Sequence, residues 1–189
     1  MRGNLFIVSG PAGVGKGTIV SCAMKRLGNM QFSVSCTTRK PRAGIDCEGK
    51  TYHFITEEEF LRDIETGNFL EYANVHGHLY GTRRDIVEKA LKSGTDVILE
   101  IDVQGAGNVK SKMPDAVSVF IKPPSADVLR ERLLKRGSEN AEEQALRLKN
   151  AEEEIKHAAE YDYIVVNDDL EKAICEFINI VNKIKEEAK

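Results

Sequence analysis

The stretch Leu5-Phe6-Ile7-Val8-Ser9-Gly10-Pro11-Ala12-Gly13-Val14-Gly15-Lys16-Gly17-Thr18 passes from four consecutive apolar residues into a loop rich in glycine that ends on a lysine. Leu5 to Val8 read as a buried strand. Glycines at 10, 13, 15 and 17 let the backbone turn tightly and bring its N–H groups close to an anion. A helix beginning near Lys16 adds unsatisfied N-terminal amides and a positive dipole end, and the lysine ammonium reaches toward outer phosphates. The spacing fits G-x-x-x-x-G-K, the core of a phosphate-binding loop, with Gly17 where that motif usually places Ser or Thr and the hydroxyl one residue later, at Thr18.

The rest of the chain builds around this unit. After the loop, Ile19, Val20, Cys22, Ala23, Met24 and Leu27 form a helical apolar stripe that Gly28 is placed to end. Further buried strands are predicted at 97–102, 117–121 and 163–166, with helical patterns between or after them. This alternation favours an α/β fold, with a parallel sheet covered by helices on both faces. Two segments break the rhythm. From about 33 to 80 the pieces are short and alternating, with a capping box at Thr56-Glu57-Glu58-Glu59 and Gly67 closing its helix. From Pro123-Pro124 onward, Ser125 caps a helix through Arg136, residues 137–140 turn, and a second helix starts near Asn140. The division expected is a core of about 1–32, 95–122 and 161–189, a small α+β insertion of about 33–94, and a helical lid of about 123–160. The final segment carries Ile174, Phe177, Ile178, Val181 and Ile184 at helical spacing and covers the sheet.

Composition limits the function classes. A chain of 189 residues, 41% of them hydrophobic, builds one sizeable core without disulfides. No segment approaches the roughly 20 apolar residues needed to cross a bilayer. Cys22, Cys36, Cys47 and Cys175 show no ligand spacing, which fits reduced thiols in the cytoplasm. A net charge of −3 argues against a surface that embraces nucleic acid. The charge is uneven, however: residues 122–136 hold five basic side chains against two acidic, and residues 142–160 hold six acidic against three basic. Cations concentrated in an acidic protein suit small polyanions such as nucleotides, while most single charges read equally well as solvated helix faces. No membrane partner is expected, and monomer and homodimer both stay open.

Phosphoryl transfer asks for a second phosphate site. Ser35-Cys36-Thr37-Thr38-Arg39-Lys40-Pro41-Arg42 offers one, with Pro41 restricting the backbone between two guanidinium groups. Read alone, this is also an ordinary solvated basic loop. Tyr52 and Tyr80 supply hydroxyls there if the insertion folds back on itself, and otherwise pack. Glu71, Glu100 and Asp102 interrupt or end apolar runs; alternation can point them to solvent, or a ligand can account for them. His76 and His78 flank Gly77 in a hairpin turn and read as turn residues.

The glycine loop, the segment Ser35 to Arg42, Gly49-Lys50-Thr51-Tyr52-His53-Phe54, Tyr80-Gly81-Thr82 and Ile101-Asp102-Val103-Gln104-Gly105 occur together and in order, and across the chain they resemble the guanylate kinase family. The Gly-Lys-Gly-Thr variant is shared with several nucleoside monophosphate kinases. The resemblance implies Mg-dependent transfer of the ATP γ-phosphoryl group to GMP. It assigns Gly10, Pro11, Ala12, Gly13, Val14, Gly15, Lys16, Gly17 and Thr18, with Arg132 and Arg136, to ATP. It places Arg39, Arg42, Tyr52 and Tyr80 on the GMP phosphate, Glu71 on guanine N1–H and the exocyclic amine, Ser35 and Thr82 on O6, and Asp102 behind the base amine. Lys16, Arg136 and Arg147 carry the catalytic charge, and Thr18 and Asp102 are the candidate Mg²⁺ ligands. The chain departs from the family pattern at Ala12, Gly17, Cys36 and Glu100, none of which removes a required charge. Two alternatives are a phosphopeptide-binding scaffold module, which the retained Lys16 and loop glycines oppose, and a kinase for another monophosphate, which Glu71 with Ser35 and Thr82 opposes.

Overall fold

The structure is a computed structural model that describes residues 1–75, 77–134 and 141–187, with the side chains of 134 and 141–147 outside the description. Its core is a five-stranded sheet of β1 (Leu5–Ser9), β2 (Met30–Phe32), β7 (Asp96–Glu100), β8 (Val117–Lys122) and β9 (Tyr163–Val166), in the order β2-β7-β1-β8-β9. Every neighbouring pair is parallel. The apolar run that opens the chain is therefore the central strand, and all five residues of β1 are buried.

Alternation along β1 divides the core in two, as the period-two geometry of a strand requires. Phe6 and Val8 face a cluster with Ile19, Val20 and Ala23 of α1 (Lys16–Leu27) and Ala173, Ile174, Phe177 and Val181 of α7 (Leu170–Glu187). Leu5 and Ile7 face the opposite cluster, with Val87 and Leu91 of α3 (Arg84–Lys92) and Ala106 and Val109 of α4 (Val103–Lys112). Burying both faces explains why the core strands read as near-continuous apolar runs. Gly28, at φ 60°, ends α1 and returns its N–H to Met24 O at 3.2 Å.

The short alternating segment forms a second sheet, β4-β3-β6-β5, from β3 (Cys36–Thr37), β4 (His53–Phe54), β5 (Phe69–Val75) and β6 (His78–Arg83). Beside it lies α2 (Glu57–Glu65), whose start carries the predicted capping box: Thr56 accepts from Glu59 N, and the Glu59 carboxylate accepts from Thr56 N. Phe60 of α2 stacks on Phe69 with ring centroids 4.3 Å apart, and these two with Cys36 form the small core of the insertion. Burial pushes the Cys36 thiol up to about 11, so it behaves as a packed hydrophobe.

The β5–β6 hairpin contains the local feature that matters most. Phe69 pairs with Arg83 and Glu71 with Thr82, so Leu70 is an extra residue on one strand. A bulge of this kind re-aims the side chains on either side of it. Leu70 drops into the main core, while Glu71 is left opposite Thr82. Beyond β8, α5 (Ala126–Leu134) starts with Ser125 Oγ accepting from Val128 N at 3.2 Å, and α6 (Ala141–Lys156) returns toward β9 through a short 3-10 turn, His157–Glu160.

Candidate functional site

The glycine loop leaves the C-terminal end of the central strand, where ligands collect in open α/β sheets. Gly10, Gly13 and Gly15 hold φ of 145°, 79° and 98°, which side chains rarely adopt. A Cβ on Gly10 would lie 2.2 Å from Ile121 O, so space and backbone both demand glycine there. Gly17 corrects the expectation of a fourth turning glycine. It sits inside the first turn of α1 with no positive φ, and a Cβ there would meet the Glu100 carboxylate at 3.6 Å. The α1 N-terminus has no side-chain cap and no acidic residue in its first turn, so no carboxylate of its own competes with an incoming anion. The Lys16 ammonium folds back along the loop and donates to the Gly10 and Pro11 carbonyls. Thr18 is exposed on the same turn.

One side chain that sequence reading missed fastens this loop. Asn167, buried just after β9, donates from Nδ2 to Val14 O at 2.7 Å, and a Cβ on Gly15 would come within 2.6 Å of that nitrogen. Arg132 of α5 donates to Asn167 O at 3.0 Å, tying that helix to the same point. Asn167 lies 153 residues from Val14, and no local pattern signals the pairing.

In the insertion the basic segment folds into a fork. The Asp46 carboxylate, 1% exposed, accepts from Arg39 Nη1 at 2.9 Å and from Arg42 through its backbone N (2.7 Å), Nε (3.2 Å) and Nη2 (3.3 Å). These bonds, Arg39's first, hold the Asp46 carboxyl well below the usual carboxylate range. Cζ of Arg39 lies 5.4 Å from the Tyr52 ring centroid, and Tyr52 meets Tyr80 edge-on at 5.6 Å. The insertion does fold back, and it brings Arg39, Tyr52 and Tyr80 together. A cleft of about 360 Å³ runs from Ser35 and Tyr52 to Glu100, bridging insertion and core, and a larger one of about 500 Å³ is lined by Asp102 and by Glu154 of α6.

Glu71 is half-buried and accepts a 2.6 Å hydrogen bond from Thr82 Oγ1. Across from it, Asp102 caps α4 by accepting from Gly105 N at 2.7 Å. A Cβ on Gly105 would touch Asp102 Oδ1 at 3.3 Å and Glu71 Oε2 at 3.4 Å, so the two carboxylates flank one glycine. Burial first, then the Asp102 charge, pushes the Glu71 carboxyl up, against the opposing Thr82 bond. A base edge with two adjacent N–H donors matches what such a carboxylate lacks.

Arg136 lies outside the described residues. Arg147 belongs to α6, with its side chain outside the description. No cluster of three or more metal-ligating side chains occurs among the described residues, and no described helix is long and apolar enough to cross a membrane. The four cysteines are free thiols.

The family model that matches this chain is described as guanylate kinase and spans residues 2–184. The guanylate kinase of Thermotoga maritima is 52% identical over 181 residues, covering 96% of this chain and 87% of the relative. That of Caldanaerobacter subterraneus subsp. tengcongensis is 49% identical over 173 residues, covering 92% and 84%. Among solved structures, the crystal structure of guanylate kinase from Anaplasma phagocytophilum matches with a TM-score of 0.72 at 36% identity, over 96% of this chain and 86% of that one.

Proposed function

This chain belongs to the guanylate kinase family, and from that premise we propose how its own residues carry the γ-phosphoryl group of ATP to GMP. The reaction forms a bond from a GMP phosphate oxygen to Pγ and breaks the bond from Pγ to the β-phosphate bridging oxygen, so ADP leaves and GDP results. The nucleophile is already anionic near neutral pH, and no general base is required. Catalysis reduces to alignment and charge neutralisation.

One observation supports this division of labour most directly. Strands β1 and β7 are parallel neighbours, with Val8 paired to Glu100, so their C-terminal ends open side by side. One end leads into the glycine loop, the other to Asp102 and the Glu71 pair. On this reading the donor and acceptor sites share adjacent strand ends. We assign the ATP phosphates to the amides of residues 10–18 and to Lys16, and Arg132 to the same nucleotide. Arg39, Arg42, Tyr52 and Tyr80 grip the GMP phosphate. Glu71 and Asp102 read the guanine amine edge, and Ser35 and Thr82 read O6, the Thr82 hydroxyl exchanging its bond to Glu71 for one to the base.

Arg136 and Arg147 add positive charge as the lid closes. On α6 itself, Glu154 is pushed up by burial and is held back by the Lys16 charge, so the helix that carries Arg147 runs past the glycine loop. Guanylate kinases use ATP generally with Mg²⁺. Thr18 and Glu100 place oxygen donors at the first turn of α1, with Asp102 beyond β7, and a hard cation that keeps much of its water needs few more. An Mg²⁺ ion held by these oxygens would supply positive charge beside the ATP phosphates. Free thiols throughout support a reducing, cytoplasmic setting.

The experiment that tests the reading measures initial ADP formation from Mg-ATP with GMP, AMP, UMP and CMP offered separately. Turnover confined to GMP is expected; a preference for another monophosphate sinks the assignment of Glu71, Ser35 and Thr82. A second expectation concerns the loop clamp. Asn167→Ala removes the buried bond to Val14 O and should cost about 1–3 kcal/mol of stability. It should also raise KM for ATP while leaving KM for GMP alone. Loss of stability with both KM values unchanged would reduce Asn167 to a packing residue.

A further inference from the structure

We infer that Asp46 is the positioning residue of the GMP phosphate fork: its carboxylate sets Arg39 and Arg42 at one point before substrate arrives. The inference rests on the proposed reading of those two arginines as phosphate ligands. Three features of the geometry carry it. The carboxylate is almost fully buried in a segment that is otherwise exposed, residues 40–51, where only Asp46 turns inward. Among the described residues its hydrogen-bond partners are Arg39 and Arg42, with one bond from the first and three from the second. And the bond from Arg42 N closes a tight turn, reinforced by Ile45 N and Asp46 N donating to Arg42 O at 3.2 and 3.0 Å, so the carboxylate is fixed to the same backbone as the side chain it holds.

An arginine side chain carries several rotatable bonds, and ordering two of them at the moment of binding would weaken the complex. Asp46 removes much of that disorder in advance. It also lowers the repulsion between two converging guanidinium groups, which have no other carboxylate on them among the described residues. The Nε–Nη2 edge of Arg42 is turned onto Asp46, which leaves Nη1 to meet a phosphate. Arg39 uses Nη1 on Asp46 and on Lys40 O, and its Cζ lies 5.4 Å from the ring centroid of Tyr52, which is in edge contact with Tyr80. The Arg39 arm of the fork therefore lies against the tyrosine pair, and Asp46 joins it to the Arg42 arm.

The test uses the full chain with steady-state kinetics in both substrates, and guanosine as a competitive inhibitor that fills the base pocket but has no phosphate. Asp46→Asn keeps the shape and an acceptor for Arg42 N but removes the charge. It should raise KM for GMP on the order of 10-fold, with KM for ATP, kcat at saturating GMP, and guanosine inhibition each changed by less than about 2-fold. Asp46→Glu, which keeps the charge, should recover part of the loss. In an Arg42→Ala background the effect of Asp46→Asn should shrink at least threefold, because the group it acts through is gone.

An equal factor in both backgrounds overturns the inference, as does guanosine inhibition weakening in step with GMP, since either outcome means loop collapse. A lowered KM for GMP overturns it too, and makes Asp46 a competitor of the phosphate. If Arg39→Ala and Arg42→Ala themselves leave KM for GMP unchanged, the underlying reading of the fork has failed instead.

Discussion

Lys16→Met lowers kcat for GMP phosphorylation by about 10²-fold or more, the scale found when one preorganised charge-stabilising donor is removed. Methionine keeps most of the length of the stem and loses the ammonium. In the structure that ammonium lies along the loop, donating to the Gly10 and Pro11 carbonyls. Removing it therefore has two consequences that can be separated. Two loop carbonyls lose a charged donor, which lowers stability by an amount read in a denaturant titration. The transferring phosphoryl group loses a positive charge, which appears in kcat. The loop is independently fixed by its positive-φ glycines and by the Asn167 bond to Val14 O, so it should keep its shape and KM for ATP should rise less than kcat falls. Lys16→Arg should not rescue, because a planar fork does not reproduce a compact point charge at the end of a flexible stem. Near-normal turnover by the Met variant removes Lys16 from the mechanism.

Which parts of this enzyme could be read in the sequence follows from the range of the interactions involved. The strand at 5–9, the helix ended by Gly28 and the capping box at Thr56 are local patterns, and each appears where its residues predict. The strand Met30–Phe32 is not legible in the sequence, because three residues are too few to show a period. Glycine 17 looked like its neighbours in the loop, yet only the backbone shows that it belongs to the helix. Asn167 and Val14 meet because β9 and β1 both border β8, a fact of topology that spacing along the chain does not contain. Asp46 was close enough to Arg39 and Arg42 to be noticed, but its role depends on a turn that lifts one carboxylate out of water while its neighbours stay exposed. Glu71 is the instructive case. Simple alternation along residues 68–75 would place it by parity alone, whereas the extra residue at Leu70 breaks the parity and settles its direction.

That bulge is the basis of the second large effect. Glu71→Gln should cost GMP about 2–4 kcal/mol in kcat/KM, or roughly 30- to 1,000-fold, because a charge-assisted acceptor of two donors becomes an amide with only one accepting atom. The amide nitrogen would face a guanine donor. Adenine presents the opposite pattern, an acceptor at N1 beside a donor at N6, and an amide complements that pair. The GMP-over-AMP preference should therefore narrow from both sides. The variant should also alter the pH profile. Burial raises the Glu71 carboxyl in the free enzyme, so the base-reading anion is lost at a higher pH than for an ordinary glutamate, and kcat/KM for GMP falls as pH drops through that raised value. Glutamine has nothing to protonate, so this acid limb should vanish, leaving the titration of the GMP phosphate itself. The same shift fixes the sign for stability. A carboxyl raised on folding favours the folded state when protonated and disfavours it as pH rises through the folded value, so at neutral pH the neutral Gln variant should be no less stable than the parent. A thermal midpoint that holds, with GMP preference lost, identifies Glu71 as a residue kept for the substrate against the interest of the fold. An unchanged preference for GMP, or a midpoint that collapses along with it, would mean that the Glu71–Thr82 pair serves the hairpin and that guanine is read elsewhere.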